Sequence, residues 1–372
     1  MNASRRFAAA SVLCLMWHAA ALAGAPAPVP VARGPHLPEH QIANLGDFRF
    51  ENGAVVKDFK VSYVTYGKLN RARDNAILVM HGWGSDHHEF HWQIGPGKAL
   101  DPEKYFIVAT DSLGNTKLRD DVTTGPTNSG LWMDFPAYSL RDSVNVEHKF
   151  LKEYLGLERV LAVCGNSIGA AKAYQFAVSH PTYVRGIVPI VGNAVTSAQA
   201  KLLLQGLLDI IALDSGWQGG NYETNPAAGV GIAFRMSGLL DFTYAWFAAN
   251  AKTTEARWQF TQSVRDYWGG QDARDIYYQW RAFRDFSVGD TPGFGGDVEA
   301  ALRSIKAKVL IVGNKRDQLI SRDDLVAHAR VIPGARLVEV DSPAGHAVCC
   351  GLDLEASKII DREIASFLST LR

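Results

Sequence analysis

From about residue 44 the hydrophobic pattern alternates between short apolar runs and segments with helical spacing. The runs VVKDFKVSYVTYG (55–67), AILVMHG (76–82) and YFIVATD (105–111) are followed by the amphipathic SVNVEHKFLKEYLG (143–156). Next come RVLAVCG (159–165), the helical IGAAKAYQFAVSH (168–180) and RGIVPIVG (185–192). Near-continuous apolar strands separated by helices predict an α/β fold: a mostly parallel sheet with helices on both faces.

The strand period stops after Gly192. Residues 195–295 hold no strand run but many aromatics, among them Trp217, Phe234, Trp246, Phe247, Trp258, Trp268, Tyr278 and Trp280. This predicts a helical lid inserted over the sheet, its aromatics mainly its own core. Alternation then resumes with AKVLIVGNKRD, a helix at DDLVAHARVI, the strand ARLVEVDS and the closing helix LDLEASKIIDREIASFL. The expected organisation is a core from 44–194 and 296–372, split by a lid at 195–295.

Lysine plus arginine equals aspartate plus glutamate at 38 each, so no basic field for nucleic acid exists and a small-molecule partner is expected. Residues 1–23 carry two arginines, an apolar run and the small-residue ending Ala21-Leu22-Ala23. That is the pattern of a signal peptide cleaved after Ala23, which predicts a periplasmic or secreted protein with no stable membrane insertion after cleavage. The Ala/Pro-rich stretch 24–43 reads as a flexible linker. Removing the signal leaves Cys164, Cys349 and Cys350, an odd set that cannot form a disulfide framework.

Gly165-Asn166-Ser167-Ile168-Gly169 is a G-x-S-x-G element between an apolar strand and a helix, the context of a nucleophile elbow. A sharp strand-to-helix turn strains the serine backbone and brings neighbouring backbone close, so Gly165 and Gly169 make room. Ser167 is the expected nucleophile, and the Ile168 N–H at the helix start is an expected oxyanion donor.

A serine hydroxyl needs a base oriented by an acid, in the chain order Ser, Asp or Glu, His. His346, in DSPAGHAVCCG, follows the last predicted strand. Asp317, in VLIVGNKRDQLI, follows the strand before it. Arg316 offers Asp317 a competing salt-bridge role, and Asp341 is a weaker rival for the acid. The second oxyanion donor is expected at the Trp83 N–H in AILVMHGWGSD, with Gly82 allowing close approach and His81 bracing the loop. Asp86 to His91 is rich in metal-ligand types, but H-E-F-H is one residue short of the H-E-x-x-H zinc motif, so a polar loop edging the active site is the preferred reading.

These residues resemble the α/β-hydrolase superfamily, and more narrowly the branch containing homoserine O-acetyltransferases, over roughly 44–370. The narrower likeness rests on HWQIGPGKALDPEKYFIVATDSLG (91–114), TGPTN (124–128) and FPAYSLRDSV (135–144). It also takes in GGQDARDIYYQWRAFRDFSVGD (269–290), a block shared across the branch. The resemblance implies the same assignments: Ser167, Asp317 and His346 as the triad, with Trp83 and Ile168 as oxyanion donors. Two departures stand out. The elbow runs GNSIGAAK where the transferases read G-G-S-x-G-G-M-Q, and Ala347 follows His346 where they carry aspartate. The resemblance links that aspartate to amino-acid recognition, so its loss argues against homoserine.

The expectation is therefore an exported serine acyl hydrolase acting on a small-molecule ester through an acyl-enzyme. The alternative is an O-acyltransferase moving an acyl group from acyl-CoA to an alcohol. Neither chemistry requires a cofactor or metal, and the resemblance suggests a homodimer through paired lids.

Overall fold

The computed structural model describes residues 38–111, 113–114 and 122–371. The expected signal peptide and most of the expected linker lie outside the described residues.

One sheet dominates, with eight strands in the order β1-β4-β6-β5-β7-β8-β9-β10. The strands are β1 (Gln41–Asn44), β4 (Lys60–Tyr66), β5 (Ala76–Met80), β6 (Phe106–Thr110), β7 (Val160–Asn166), β8 (Val184–Ile190), β9 (Lys308–Asn314) and β10 (Arg336–Val340). β2 (Phe48–Arg49) and β3 (Val55–Val56) form a separate antiparallel pair. β4 is antiparallel to both β1 and β6, and every other pairing in the large sheet is parallel.

The strand at 41–44 corrects the linker expected to run through residue 43. QIAN has too few apolar positions to show alternation, and it is ordered by its ladder to β4, from Gln41 opposite Tyr63 to Asn44 opposite Lys60.

The apolar runs are continuous because both faces of the sheet are covered. All five residues of β5 and all seven of β7 are buried. Successive side chains alternate between two cores. Leu78, Met80, Val108, Val163 and Ile187 join one face with Val144 and Phe176. Ile77, Val79, Ile107, Cys164 and Val188 join the other with Ile360, Ile364 and Phe367. The first pair of helical residues comes from α1 (Leu140–Lys149) and α2 (Ile168–Ser179), the second set from α10 (Leu354–Ser369).

Between β8 and β9 the chain is helical: α3 (Ala198–Leu213), α4 (Ala227–Asp241), α5 (Tyr244–Asn250), α6 (Thr254–Trp268), α7 (Ala273–Arg284) and α8 (Val298–Arg303). β8 and β9 are nonetheless adjacent in the sheet. The aromatics of these helices pack on one another, as in the Phe234–Trp268 stack at 4.3 Å. The remaining helix, α9 (Arg322–Val331), joins β9 to β10. No helix among the described residues is long and apolar enough to cross a membrane.

The parallel arrangement places the loops after β5, β7, β9 and β10 at the carboxyl end of the sheet, where open α/β sheets bind ligands. All the candidate chemistry lies on these four loops.

Candidate active site

Ser167 stands alone between β7 and α2, with φ 54° and ψ −117°. This is a backbone conformation in which a non-glycine residue is strained, and such strain persists only where surrounding structure enforces it. The enforcement is visible: the Ser167 N–H donates to Ile190 O at 2.9 Å, tying the turn to β8. A Cβ on Gly165 would lie 2.1 Å from Gly169 O, and one on Gly169 would lie 2.0 Å from Met80 O. The elbow glycines are thus required by close backbone approach. Gly192, past β8, is equally constrained, because its Cβ would sit 2.4 Å from Ser167 O.

The structure brings Ser167, His346 and Asp317 into one hydrogen-bonded line. The Ser167 hydroxyl meets His346 Nε2 at 2.9 Å, and His346 Nδ1 meets Asp317 Oδ2 at 2.8 Å. An ionised carboxylate only accepts, so Nδ1 carries the proton, and in the neutral ring Nε2 is left to accept from serine. Ser167, at 7 % exposure, and His346, at 6 %, are both buried. Asp317 is oriented in turn by the N–H groups of Leu319 and Ile320, which donate to Oδ1 at 2.8 and 3.0 Å. Arg316, its sequence neighbour, instead pairs with Asp341, at an exposed position away from this line. Burial pushes the His346 imidazolium down, but the charge of Asp317 and its hydrogen bond outweigh this, with Asp241 adding to them, and raise His346 to about 9.

Trp83 lines a cavity together with Ser167 and His346. Among the described residues the N–H groups of Trp83 and Ile168 make no hydrogen bond, whereas the neighbouring N–H groups of the Trp83 loop are engaged. Gly82 N–H donates to Glu89 Oε2 at 2.9 Å and Gly84 N–H to Gln279 Oε1 at 3.1 Å. His81, buried and driven down to about 3 by that burial, is neutral and contacts Gly82 O through Nδ1 at 2.6 Å. His81 therefore braces the loop.

The expectation for Gly82 needs correction. A Cβ there would meet nothing nearer than Glu89 Oε2 at 3.4 Å, an ordinary contact, so sterics do not demand glycine. The demanding position is Gly84, with φ +62°, where a Cβ would lie 2.5 Å from the Trp268 ring.

The cavity at Ser167 measures about 20 Å³. Its walls are largely apolar, with Leu203 and Leu204 from α3, Phe283 from α7, and Leu319 and Ile320 from the Asp317 loop. No lysine or arginine lines it among the described residues.

In the segment Asp86 to His91, His87 Nδ1 bonds Asp111 Oδ1 at 2.9 Å while His91 Nδ1 contacts His88 O at 2.9 Å. The two rings are committed to different partners, and among the described residues no cluster of three His, Cys, Asp or Glu side chains is arranged to hold a metal ion. Cys164 is a buried free thiol.

Sequence reasoning missed three supports of this site. Asn314, at the end of β9, bonds the loop that carries His346. Glu89 bonds both Gly82 and Asn166. Asp241, at the end of α4, lies against the same His346 loop, where the Thr243 hydroxyl donates to Pro343 O at 2.6 Å. Burial raises Asp241 to about 7, against the pull of His346. Asn314 and Asp241 have no motif or periodic signal, since their partners are distant in sequence; Glu89 lies in the segment expected to edge the active site, but its bond to Asn166, 77 residues away, leaves no local signal.

A mostly parallel sheet, an elbow serine and a helical lid define an enzyme of the α/β-hydrolase class. The family described as alpha/beta hydrolase fold matches residues 75–350, and the chain belongs to that family, within the branch that includes the homoserine O-acetyltransferases. It is 28% identical over 339 residues to an ethyl acetate hydrolase of Pseudomonas veronii, covering 89% of this chain and 95% of that one. It is 32% identical over 337 residues to a homoserine O-acetyltransferase of Symbiobacterium thermophilum, covering 80% of this chain and 86% of that one. The structure of the acetyl esterase MekB superposes with a TM-score of 0.82 at 25% identity, covering 89% of this chain and 97% of that one. The chain is thus an enzyme of esterase or acyltransferase type.

Proposed function

We propose that this protein is an exported carboxylic ester hydrolase for short acyl groups, using Ser167, His346 and Asp317 through an acyl-enzyme. The observation that carries the reading is the hydrogen-bonded line from Ser167 to Asp317 at a strained elbow.

His346 Nε2 takes the Ser167 proton as Oγ bonds the ester carbonyl carbon, and the carbonyl oxygen becomes an oxyanion facing the N–H groups of Trp83 and Ile168. Collapse of this intermediate breaks the ester C–O bond, and His346 gives its proton to the departing alcohol. Water then loses a proton to His346 and attacks the acyl-enzyme. The second collapse returns the proton to Ser167 and frees the acid. Asp317 keeps its charge throughout and stabilises the imidazolium.

The cavity supports a short acyl group. About 20 Å³ is little more than the roughly 10–15 Å³ that one water needs, so it suits a methyl better than a long chain. The ethyl acetate hydrolase and acetyl esterase relatives agree with that size.

The transferase relatives favour a second reading, transfer to an alcohol such as homoserine. Ala347 after His346, and cavity walls without a cation among the described residues to receive an amino-acid carboxylate, weigh for water. The composition of residues 1–23 supports export, which would separate the protein from cytoplasmic acyl-CoA.

The test is an incubation with p-nitrophenyl acetate, alone and with homoserine, following nitrophenol and product mass beside Ser167→Ala. Free acetate regardless of acceptor, lost in the variant, supports hydrolysis. Acetylated acceptor outrunning free acid establishes transfer instead. Mass analysis of protein from the periplasm or medium tests cleavage after Ala23.

A further inference from the structure

The segment Asp86 to His91 is rich in ligand-like residues, yet one of them is placed for different work. Glu89 opens a 3₁₀ turn (Glu89–Trp92), and its carboxylate reaches back to the two halves of the site. Oε2 accepts the Gly82 N–H at 2.9 Å, and Oε1 accepts Asn166 Nδ2 at 2.8 Å. Gly82 precedes Trp83, whose amide faces the oxyanion position, and Asn166 precedes the nucleophile. One side chain therefore spans the residue before each reacting element.

We infer that Glu89 is a positioning residue, whose carboxylate fixes the Trp83 amide relative to Ser167 by bonding the Gly82 N–H and the Asn166 amide at once. This rests on the oxyanion role proposed for Trp83.

Three features sharpen the inference. The bond to Gly82 orients the 81–82 peptide, one unit before the peptide that carries the Trp83 N–H, so a change there turns the Trp83 N–H through the torsions at the Gly82 Cα. Glu89 Oε2 would also lie only 3.4 Å from a Cβ on Gly82, so the carboxylate packs against that face of the loop as well as bonding it. From the opposite side the Gly82 carbonyl accepts the Ser85 N–H at 3.4 Å and contacts His81 Nδ1. Both ends of the Gly82 peptide units are thus held, and Glu89 is the hold that also reaches the nucleophile strand. Burial raises Glu89 to about 7, while hydrogen bonds from Ser85, Asn166 and Gly82 oppose that rise. A carboxylate held in this half-buried position, with the charge of the buried Lys172 nearby, is costly unless its acceptor geometry is used.

The experiment compares Glu89→Ala and Glu89→Gln with wild type and Ser167→Ala on a short p-nitrophenyl ester. Inhibition by an aryl trifluoromethyl ketone is read beside it, because the hemiketal formed on serine carries the oxyanion. Glu89→Ala should lower kcat by roughly 30-fold with KM within about threefold, since a misplaced donor costs much of what a missing one does. The ketone's affinity should fall in proportion to kcat. Glu89→Gln keeps an oxygen for Gly82, and a half-turn of the Asn166 amide lets its otherwise unbonded Oδ1 accept from the new amide N–H, so both links persist and kcat should recover to within about fivefold of wild type.

Wild-type kcat in Glu89→Ala overturns the inference. So does an equal loss in both variants, or a loss of kcat with ketone affinity unchanged. If Glu89→Ala does not fold, Glu89→Gln decides: a kcat loss beyond tenfold with thermal stability preserved overturns it. Activity surviving in Ser167→Ala would instead sink the functional reading on which it depends.

Discussion

The side-chain amide of Asn314 is bonded in both directions to Ser342: Nδ2 donates to Ser342 O at 2.9 Å, and Oδ1 accepts the Ser342 N–H at 2.9 Å. The same Nδ2 donates to Gly345 O at 2.7 Å. One residue at the end of β9 thereby fixes the loop that ends in His346. Asp317, three residues further on, is tied to the same strand end by its N–H, which donates to Asn314 O at 3.1 Å. Acid and base are positioned from a single point.

Asn314→Ala should therefore cost about 3 kcal/mol of stability, because it strands buried backbone groups of residues 342 and 345. It should also lower kcat more than it raises KM, since His346 loses its anchor while the acyl cavity keeps its walls. Denaturant unfolding and steady-state kinetics on the same preparation check both. Unchanged stability would show that the loop is held elsewhere.

The glycines separate into two kinds. Gly169→Ala forces a Cβ to within 2.0 Å of Met80 O and Gly165→Ala to within 2.1 Å of Gly169 O, contacts that only backbone movement relieves. Each should destabilise by about 3 kcal/mol or more and abolish turnover. Gly82→Ala, with no contact under 3.4 Å, should fold with a melting temperature near wild type. Equal thermal losses at positions 82 and 169 would contradict this division.

The pH dependence follows from His346. Its folded value of about 9 lies above the ordinary 6.5, so below about 6.5 the imidazolium is present in both states and its pairing with Asp317 contributes fully to stability. That contribution fades as pH rises through the folded value. Activity moves oppositely, because Nε2 must be unprotonated to accept the serine proton. Ester hydrolysis should rise across the neutral and alkaline range, with an acidic limb in log kcat/KM above 6.5. Asp317→Asn removes the first upward cause, the carboxylate charge, and should move that limb to lower pH at much reduced rate. A limb unmoved by the substitution would assign it to another group.

Much of this was legible from residues alone, and the limits are physical. Strand and helix runs announce themselves because burial on both sheet faces leaves an apolar record, as in AILVM and VLAVC. Ser167 was legible through its flanking glycines, which answer a local steric demand. Gly84 was not, because what demands it is Trp268 on a lid helix far along the chain. The loop of Glu89 was legible as an edge of the site, but the bond of Glu89 to Asn166 and the role of Asn314 were not, because those partners are set by tertiary contacts that leave no spacing in sequence. β1 escaped because a four-residue edge strand held by its ladder, with Ala43 its one fully buried residue, shows no alternation to read.

Acyl-chain preference can be shifted at Leu203. This residue lines the cavity beside Ser167 but is only partly buried, unlike Leu204 and Phe283, which sit in the lid core. Truncating Phe283 would widen the cavity at about 3–5 kcal/mol of stability, which would confound the kinetics with unfolding. Leu203→Ala removes wall atoms with a smaller penalty, because solvent already reaches part of the side chain. A hydrophobic wall discriminates by about 1–3 kcal/mol per methylene, so opening it should raise the kcat/KM ratio of hexanoate to acetate esters by about tenfold. The acetate rate itself should change little, because the triad and the oxyanion donors stand on other elements. An unchanged ratio would mean that the acyl group lies along a different wall of the site, with Leu319 and Ile320 the next residues to truncate.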